Sequence, residues 1–169
     1  KRQNLNNWTD FLKRIIPLAF ALVLLAGCAQ KHYTPAVSTD FNISAVYSAG
    51  DFSCSCTVKM KNNAVTVTAL SGKAKGTAIT YDGKNTSFSL NGTMQKVISA
   101  AETPPKNPAK LLYTVFSSLK DCENIKVVDN KYNYVGQTEV GSFLLVQRVE
   151  DNKYESVYIA DSDIKFEFV

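Results

Sequence analysis

The stretch Phe52-Ser53-Cys54-Ser55-Cys56-Thr57-Val58-Lys59-Met60-Lys61 decides the fold. Phe52, Cys54, Cys56, Val58 and Met60 fall on one side of an extended chain, and Ser53, Ser55, Thr57, Lys59 and Lys61 on the other, which is the alternation of a strand with one wet face. The same period recurs at Phe41/Ile43/Ala45/Tyr47, Val65/Val67/Ala69, Ile79/Tyr81, Phe88/Leu90, Tyr154/Ser156/Tyr158 and Ile164/Phe166/Phe168. Turn pairs separate these runs: Ala49-Gly50, Asn62-Asn63, Ser71-Gly72, Asp82-Gly83, Asn91-Gly92, Asp129-Asn130, Asp151-Asn152 and Asp161-Ser162, mostly at hairpin spacing. Most of the chain is therefore predicted to be an antiparallel meander. Segment 142–149 is apolar on both faces from Phe143 to Val146, which predicts a central strand or one lying under another layer.

One segment breaks the period. Asn107-Pro108 supplies an N-cap and a proline at the first helical position, after which Leu111, Leu112, Val115, Phe116 and Leu119 recur at helical spacing to about Lys120. Glu102-Thr103-Pro104-Pro105-Lys106 before it cannot continue a strand and reads as a crossing loop. A single-faced sheet must bury its apolar side, and this helix is the non-strand element available to cover it. The expected fold is mainly β, of the α+β kind: a curved antiparallel sheet or open half-barrel wrapped around one amphipathic helix, over residues 41–169.

The beginning of the chain differs in kind. Residues 1–27 carry Lys1, Arg2, Lys13 and Arg14 against the single acid Asp10, and then an apolar run from Ile15 to Leu25. That run has the length of a secretory signal core and falls short of the ~20 residues that span a bilayer. Leu25-Ala26-Gly27-Cys28 follows: an aliphatic residue, two small ones and a cysteine. Small side chains let the backbone enter a narrow protease site, and only a thiol carries a thioether-linked diacylglyceryl group. The tetrad resembles the lipobox of bacterial lipoproteins, which implies cleavage before Cys28 and lipidation of Cys28 as the new N-terminus. Two acyl chains, at about 0.8 kcal/mol per buried CH₂, anchor a protein stably to a membrane. Residues 28–40 then read as the lipidated cysteine and a flexible tether, with reach of roughly 35 Å at about 3.3 Å per residue.

Composition fits this division. The 169 residues are 45% apolar and 20% charged, the size and balance of one globular domain, which excludes collagen-like, disordered and polytopic membrane classes. The net charge of +4 looks basic, but 19 basic and 15 acidic residues become 15 and 14 once residues 1–27 are set aside. The case for a nucleic-acid partner disappears with the leader.

The order of strands, one helix and further strands behind a lipobox resembles the superfamily of periplasmic lipoprotein carriers and lipid-binding envelope lipoproteins. The likeness rests also on the Tyr81-Asp82-Gly83-Lys84 hairpin, the Asn107-Pro108 helix start and the closing Gly141-Ser142-Phe143 and Ile164-Lys165-Phe166 strands. It implies an incomplete barrel around helices and an apolar concave face that holds acylated molecules. Carrier-type members have more helices than the one found here.

Catalytic chemistry finds little support in the residues. His32, the lone imidazole, falls in the tether, no Gly-x-Ser-x-Gly or phosphate-cradling glycine loop is present, and Asp121/Glu123 and Glu150/Asp151 sit at predicted turns, where acids are usually solvated. Cys54 and Cys56 lie on one strand face at a separation unfavourable for a mutual disulfide; either could pair with Cys122, or they are small apolar side chains beneath the helix. No metal ligand set or cofactor is expected. Lys59, Lys61, Lys73, Lys75 and Lys84 are expected at outward strand positions or turns, as surface charges that oppose aggregation. Tyr132, Tyr134, Tyr154 and Tyr158 could form a stacking platform or pack across strands.

Two functional expectations follow. The first is a non-enzymatic, lipid-anchored, extracytoplasmic envelope protein that binds an apolar ligand, a lipid or a lipoprotein acyl chain, on a face made by Phe52, Val58, Val67, Ile79, Tyr81, Phe88, Leu112, Val115 and Phe116. The second is an envelope interaction module in which the helix fills that face and another envelope protein is the partner. Membrane contact runs through Cys28 in both. Replacing Cys28 by Ser should block processing or move the protein out of the detergent-soluble membrane fraction. Trp8 is the one tryptophan, so processed protein should show no indole emission; unchanged partitioning, or indole emission from the processed form, would refute the lipobox reading.

Overall fold

The computed structural model describes residues 35–169 other than residue 123. Leu25–Cys28, His32 and Glu123 therefore lie outside the described residues. Eleven strands form one antiparallel sheet: β1 (Phe41–Ala49), β2 (Phe52–Lys61), β3 (Ala64–Ala69), β4 (Thr77–Tyr81), β5 (Asn85–Leu90), β6 (Thr93–Ser99), β7 (Ile125–Val128), β8 (Lys131–Thr138), β9 (Gly141–Arg148), β10 (Tyr154–Ile159) and β11 (Ile164–Phe168). Their spatial order is β6-β5-β4-β3-β2-β1-β11-β10-β9-β8-β7. Each half is a meander, and the first and last strands join the halves, with Ala45 opposite Phe168 and Ala49 opposite Ile164. The sheet is open, with β6 and β7 as its edges.

Turn chemistry sets the registers. Asn62-Asn63, Asn91-Gly92 and Asp129-Asn130 have positive φ at both positions, as the tight two-residue turns matching strand twist require. At the β4–β5 turn the Asp82 carboxylate accepts from the N–H groups of Asn85 (2.7 Å) and Lys84 (2.8 Å), which hold its carboxyl below the usual carboxylate range. Gly83 there has φ +88°, and a Cβ on it would stand 2.6 Å from the Tyr113 hydroxyl.

The chain leaves β6 at one edge and must reach β7 at the other. It does so across the concave face through α1 (Pro108–Ser118), capped by Asn107 Oδ1, which accepts from Ala109 N (3.0 Å) and Lys110 N (3.1 Å). A short 3₁₀ turn, Leu119–Asp121, ends it. The helix touches β3 and β4 in one half and β8 in the other, so the sheet curls around it. Leu112, Val115 and Phe116 are fully buried against Val58, Val65, Leu145 and Phe166. Phe116 is the hub, its ring 4.9 Å from Phe41 and 5.0 Å from Tyr154, both edge-on. The expected half-barrel around one helix is the architecture found.

Three details depart from the sequence reading. A β-bulge between Tyr154 and Ser156 shifts the register of β10, so Tyr154, Val157 and Ile159 face inward and Tyr158 faces out, in place of the simple Tyr154/Ser156/Tyr158 alternation. Strand β9 is interior to the sheet, as the central-strand reading of its apolar run has it, but only Phe143 and Leu145 are buried, while Leu144 and Val146 are half-covered with no second layer over the outer face.

The third concerns the described part of the tether, which is strapped to the domain. The buried Gln147 amide donates to Ala36 O (2.9 Å) and Asn152 O (2.7 Å) while its carbonyl accepts from the Tyr134 hydroxyl (2.6 Å). The Tyr154 hydroxyl donates to Ser38 O at 3.0 Å, and Val37 packs on the core. Free reach therefore does not extend to residue 40.

Because every polar group of Gln147 is partnered, Gln147→Leu strands the buried Tyr134 hydroxyl, at about 1–3 kcal/mol, and releases the more accessible Ala36 and Asn152 carbonyls, which frees the strap. We expect a loss of about 2–4 kcal/mol in denaturant unfolding, and faster hydrogen exchange and proteolysis at residues 35–40.

Candidate functional site

The helix does not cover the whole concave face. It starts at Pro108, near the end of β1, and beyond this point the walls shrink to Ala49, Cys54, Cys56, Ala69 and Ala74. Small side chains from three strands and one turn cannot fill the space, and a cavity of about 380 Å³ remains, lined by these residues with Tyr47, Phe52, Val67, Thr77, Ile79 and Pro108. It is open to solvent and almost wholly apolar. Its size lies at the low end of the roughly 300–1,000 Å³ of small-molecule pockets. Phe52 is 43% exposed at the rim, as is Leu90, 46% exposed and directly beyond Thr77 in the β4–β5 register.

The nine residues expected to form one apolar face divide. Phe52, Val67 and Ile79 line the cavity. Val58, Leu112, Val115 and Phe116 are fully buried core under the helix, and Tyr81 is core packed edge-on against Tyr113. These five are not available to a ligand, because α1 already occupies the space above them. Phe88 is half-buried beside Ile79, just outside the cavity. Ala49, Cys54, Cys56, Ala69, Ala74, Thr77 and Pro108 escape a search for large apolar residues, and Tyr47, though large, is not among the nine. The period-two runs contain Tyr47, the cysteines and Ala69, but nothing in the sequence distinguishes a small residue that packs from one that leaves room.

Both thiols in the wall stay protonated. Burial pushes Cys56 up to about 11, with Cys54 adding to the effect and a backbone hydrogen bond at Tyr47 opposing it. Burial also raises Cys54, and the Tyr47 phenol is raised by burial and by the two sulfurs. Neutral thiols are neither nucleophiles nor good metal ligands, and here they serve as small apolar wall groups. No disulfide links Cys54, Cys56 and Cys122; Cys122 lies past the helix, beside Asn124 and Val135.

The remaining candidates separate cleanly. Tyr132, Tyr134 and Tyr154 are buried and Tyr158, 37% exposed, lies on the other face, so the four form no stacking platform. Asp151 is paired with Arg148 (2.6 Å) at a turn, and the side chain of Asp121 lies outside the described residues. The five lysines sit on outward strand positions and turns as expected, but Lys59 and Lys61 are on β2, far from either edge. A larger cavity of about 670 Å³ lies at the other end of β1, between Phe41/Ile43 and Tyr154–Ser156. Its lining mixes apolar side chains such as Phe41, Ile43 and Phe168 with charged ones, among them Lys165 and Glu167 paired at 2.6 Å, so it is more polar than the cavity beside Pro108.

The chain matches no known protein family profile and no curated protein sequence. Among solved structures it is similar to a chain in the complex of the CwlD amidase from Clostridioides difficile with the GerS lipoprotein, at 12% identity and a TM-score of 0.43, covering 96% of this chain and 89% of that one. It is also similar to a chain in the complex of MucB with MucA(peri), at 12% identity and a TM-score of 0.32, covering 76% of this chain and 48% of that one. Likeness at this level carries no argument about function.

The titrations of the buried groups have a definite sign. Cys56 moves from 9.0 unfolded to about 11 folded, and Tyr154 from 10.0 to about 12 by burial, moderated by its Ser38 hydrogen bond. A raised folded value means that this stability is complete below the unfolded value and is lost as pH rises through the folded one. The melting temperature should accordingly be insensitive to these groups below pH 9 and fall steadily from there toward 12. In Cys28→Ser protein under native conditions, a thiol reagent should modify Cys122 well before Cys54 or Cys56, and the latter two at comparable rates only after unfolding.

Proposed function

We propose that this is a lipid-anchored, non-enzymatic protein of the bacterial cell envelope that receives one apolar group in the cavity between Pro108 and β1–β4. The observation that carries this reading is the cavity itself: apolar, open to solvent and bounded in part by the small side chains of Ala49, Cys54, Cys56, Ala69 and Ala74, whereas the sheet face directly under α1 is packed with large side chains. The anchor rests on the lipobox-like Leu25-Ala26-Gly27-Cys28, and the extracytoplasmic location on the signal-like segment before it. The helix plug limits the ligand to one chain or one side-chain cluster. A broad carrier face over all nine expected residues is not part of the proposal.

A second reading, an interaction module, is favoured by one feature. Edge strand β6 offers an unpaired backbone, with Met94 and Val97 respectively 59% and 56% exposed on its outer face. Such an edge accepts an added strand.

The two are separated by a neutral apolar dye such as phenylnaphthylamine. Cavity binding predicts enhanced emission, lost in Ala69→Phe and retained in Val97→Lys. A dye that fails to bind, or binds equally to Ala69→Phe, would remove the cavity reading and leave the β6 edge as the functional feature.

A further inference from the structure

The charges around the cavity mouth are segregated. Ala74, in the wall, is flanked by Lys73 and Lys75 on the turn between β3 and β4, and Pro108 follows Lys106 by two residues. All three lysines are exposed, and among the described residues no carboxylate lies within ion-pairing distance of any of them. Acids lie toward the opposite side. Asp51 adjoins Phe52, and Asp163 accepts the Gly50 N–H at 3.3 Å through its carbonyl. Asp161 accepts from Ser142 N at 3.2 Å, and Glu139 is paired with Lys110 at 3.0 Å.

The chamber below is apolar and the free positive charge sits on one lip. The N-terminus of α1 adds the positive end of its dipole at Pro108. Its first free N–H groups already bond to Asn107, so the lysines are the groups left to meet an anion. An apolar cavity of about 150 Å³ takes a six-carbon ring; about 380 Å³ accommodates a single chain of roughly a dozen carbons. Resting on the cavity reading above, we propose that the ligand is a single-chain anionic amphiphile, whose alkyl chain enters between Ala69 and Ile79 and whose headgroup lies against Lys73, Lys75 and Lys106.

Three probes with the same twelve-carbon chain, dodecanoate, dodecanol and dodecyltrimethylammonium, below their micellar concentrations, test this by displacement of the neutral dye from the full-length protein. Dodecanoate should bind about three- to tenfold more tightly than dodecanol, and the cation more weakly than either. The anion's advantage should shrink at high salt, because exposed charges are screened over about 10 Å at 0.1 M. Replacing Lys73, Lys75 and Lys106 together by Glu touches only exposed side chains and should reverse the order, whereas Asp51→Lys should strengthen dodecanoate. Equal affinity for the three probes, or an order unchanged by the lysine substitutions, would overturn the proposal while leaving the cavity reading standing. If none of the three displaces the dye and the dye itself does not bind, the cavity reading falls as well.

Discussion

The pairing of β1 with β11 is the constraint on which the rest depends. Each half of the sheet is a local meander whose turns can form from neighbouring residues, but neither half covers its own apolar face. The strand at each end of the folded domain supplies the joint, from Ala45–Phe168 to Ala49–Ile164, and only when it forms do Phe41, Phe116, Tyr154 and Phe168 come together around the helix. Such a joint carries a large loop-closure cost, which places this chain among slowly folding topologies. Cooperativity follows: weakening the joint exposes both meanders and the helix at once.

With the joint made, the crossover from β6 to β7 is forced over the concave face, and α1 becomes both lid and core. Its apolar stripe is long enough to seal the middle of the face but not the end near Pro108. The difference between core and cavity is thus a matter of side-chain size. Where Val58, Val65 and Leu145 meet Leu112, Val115 and Phe116 the interior is solid, and where Ala49, Ala69 and Ala74 face the helix start there is space.

Legibility in the sequence followed physical cause. Strands β1 to β5, the helix with its Asn107 cap and most turns were readable because alternation, capping and positive-φ residues are local signals. The bulge in β10 was not, since Glu155 and Ser156 look like an ordinary polar step and only the pairing with β9 shows the shift. Nor was β6, where Met94, Lys96 and Val97 show no clean period because an edge strand has little to bury. The cavity was half legible. Phe52, Val67 and Ile79 announced an apolar face, but the alanines that create the space are silent in any hydrophobicity pattern. The strap over residues 36–38 was missed because a polar segment gives no sign that Gln147, a residue inside a strand otherwise apolar on its inner face, holds it.

That strap gives the domain a direction. Ala36–Ser38 are fastened at the end where β1 begins, and the cavity opens where β1 ends, a strand of nine residues or about 27 Å away. The described chain thus enters the domain at one pole, and the mouth opens at the other. A molecule held in the cavity therefore sits a strand's length from the point where the chain enters the domain.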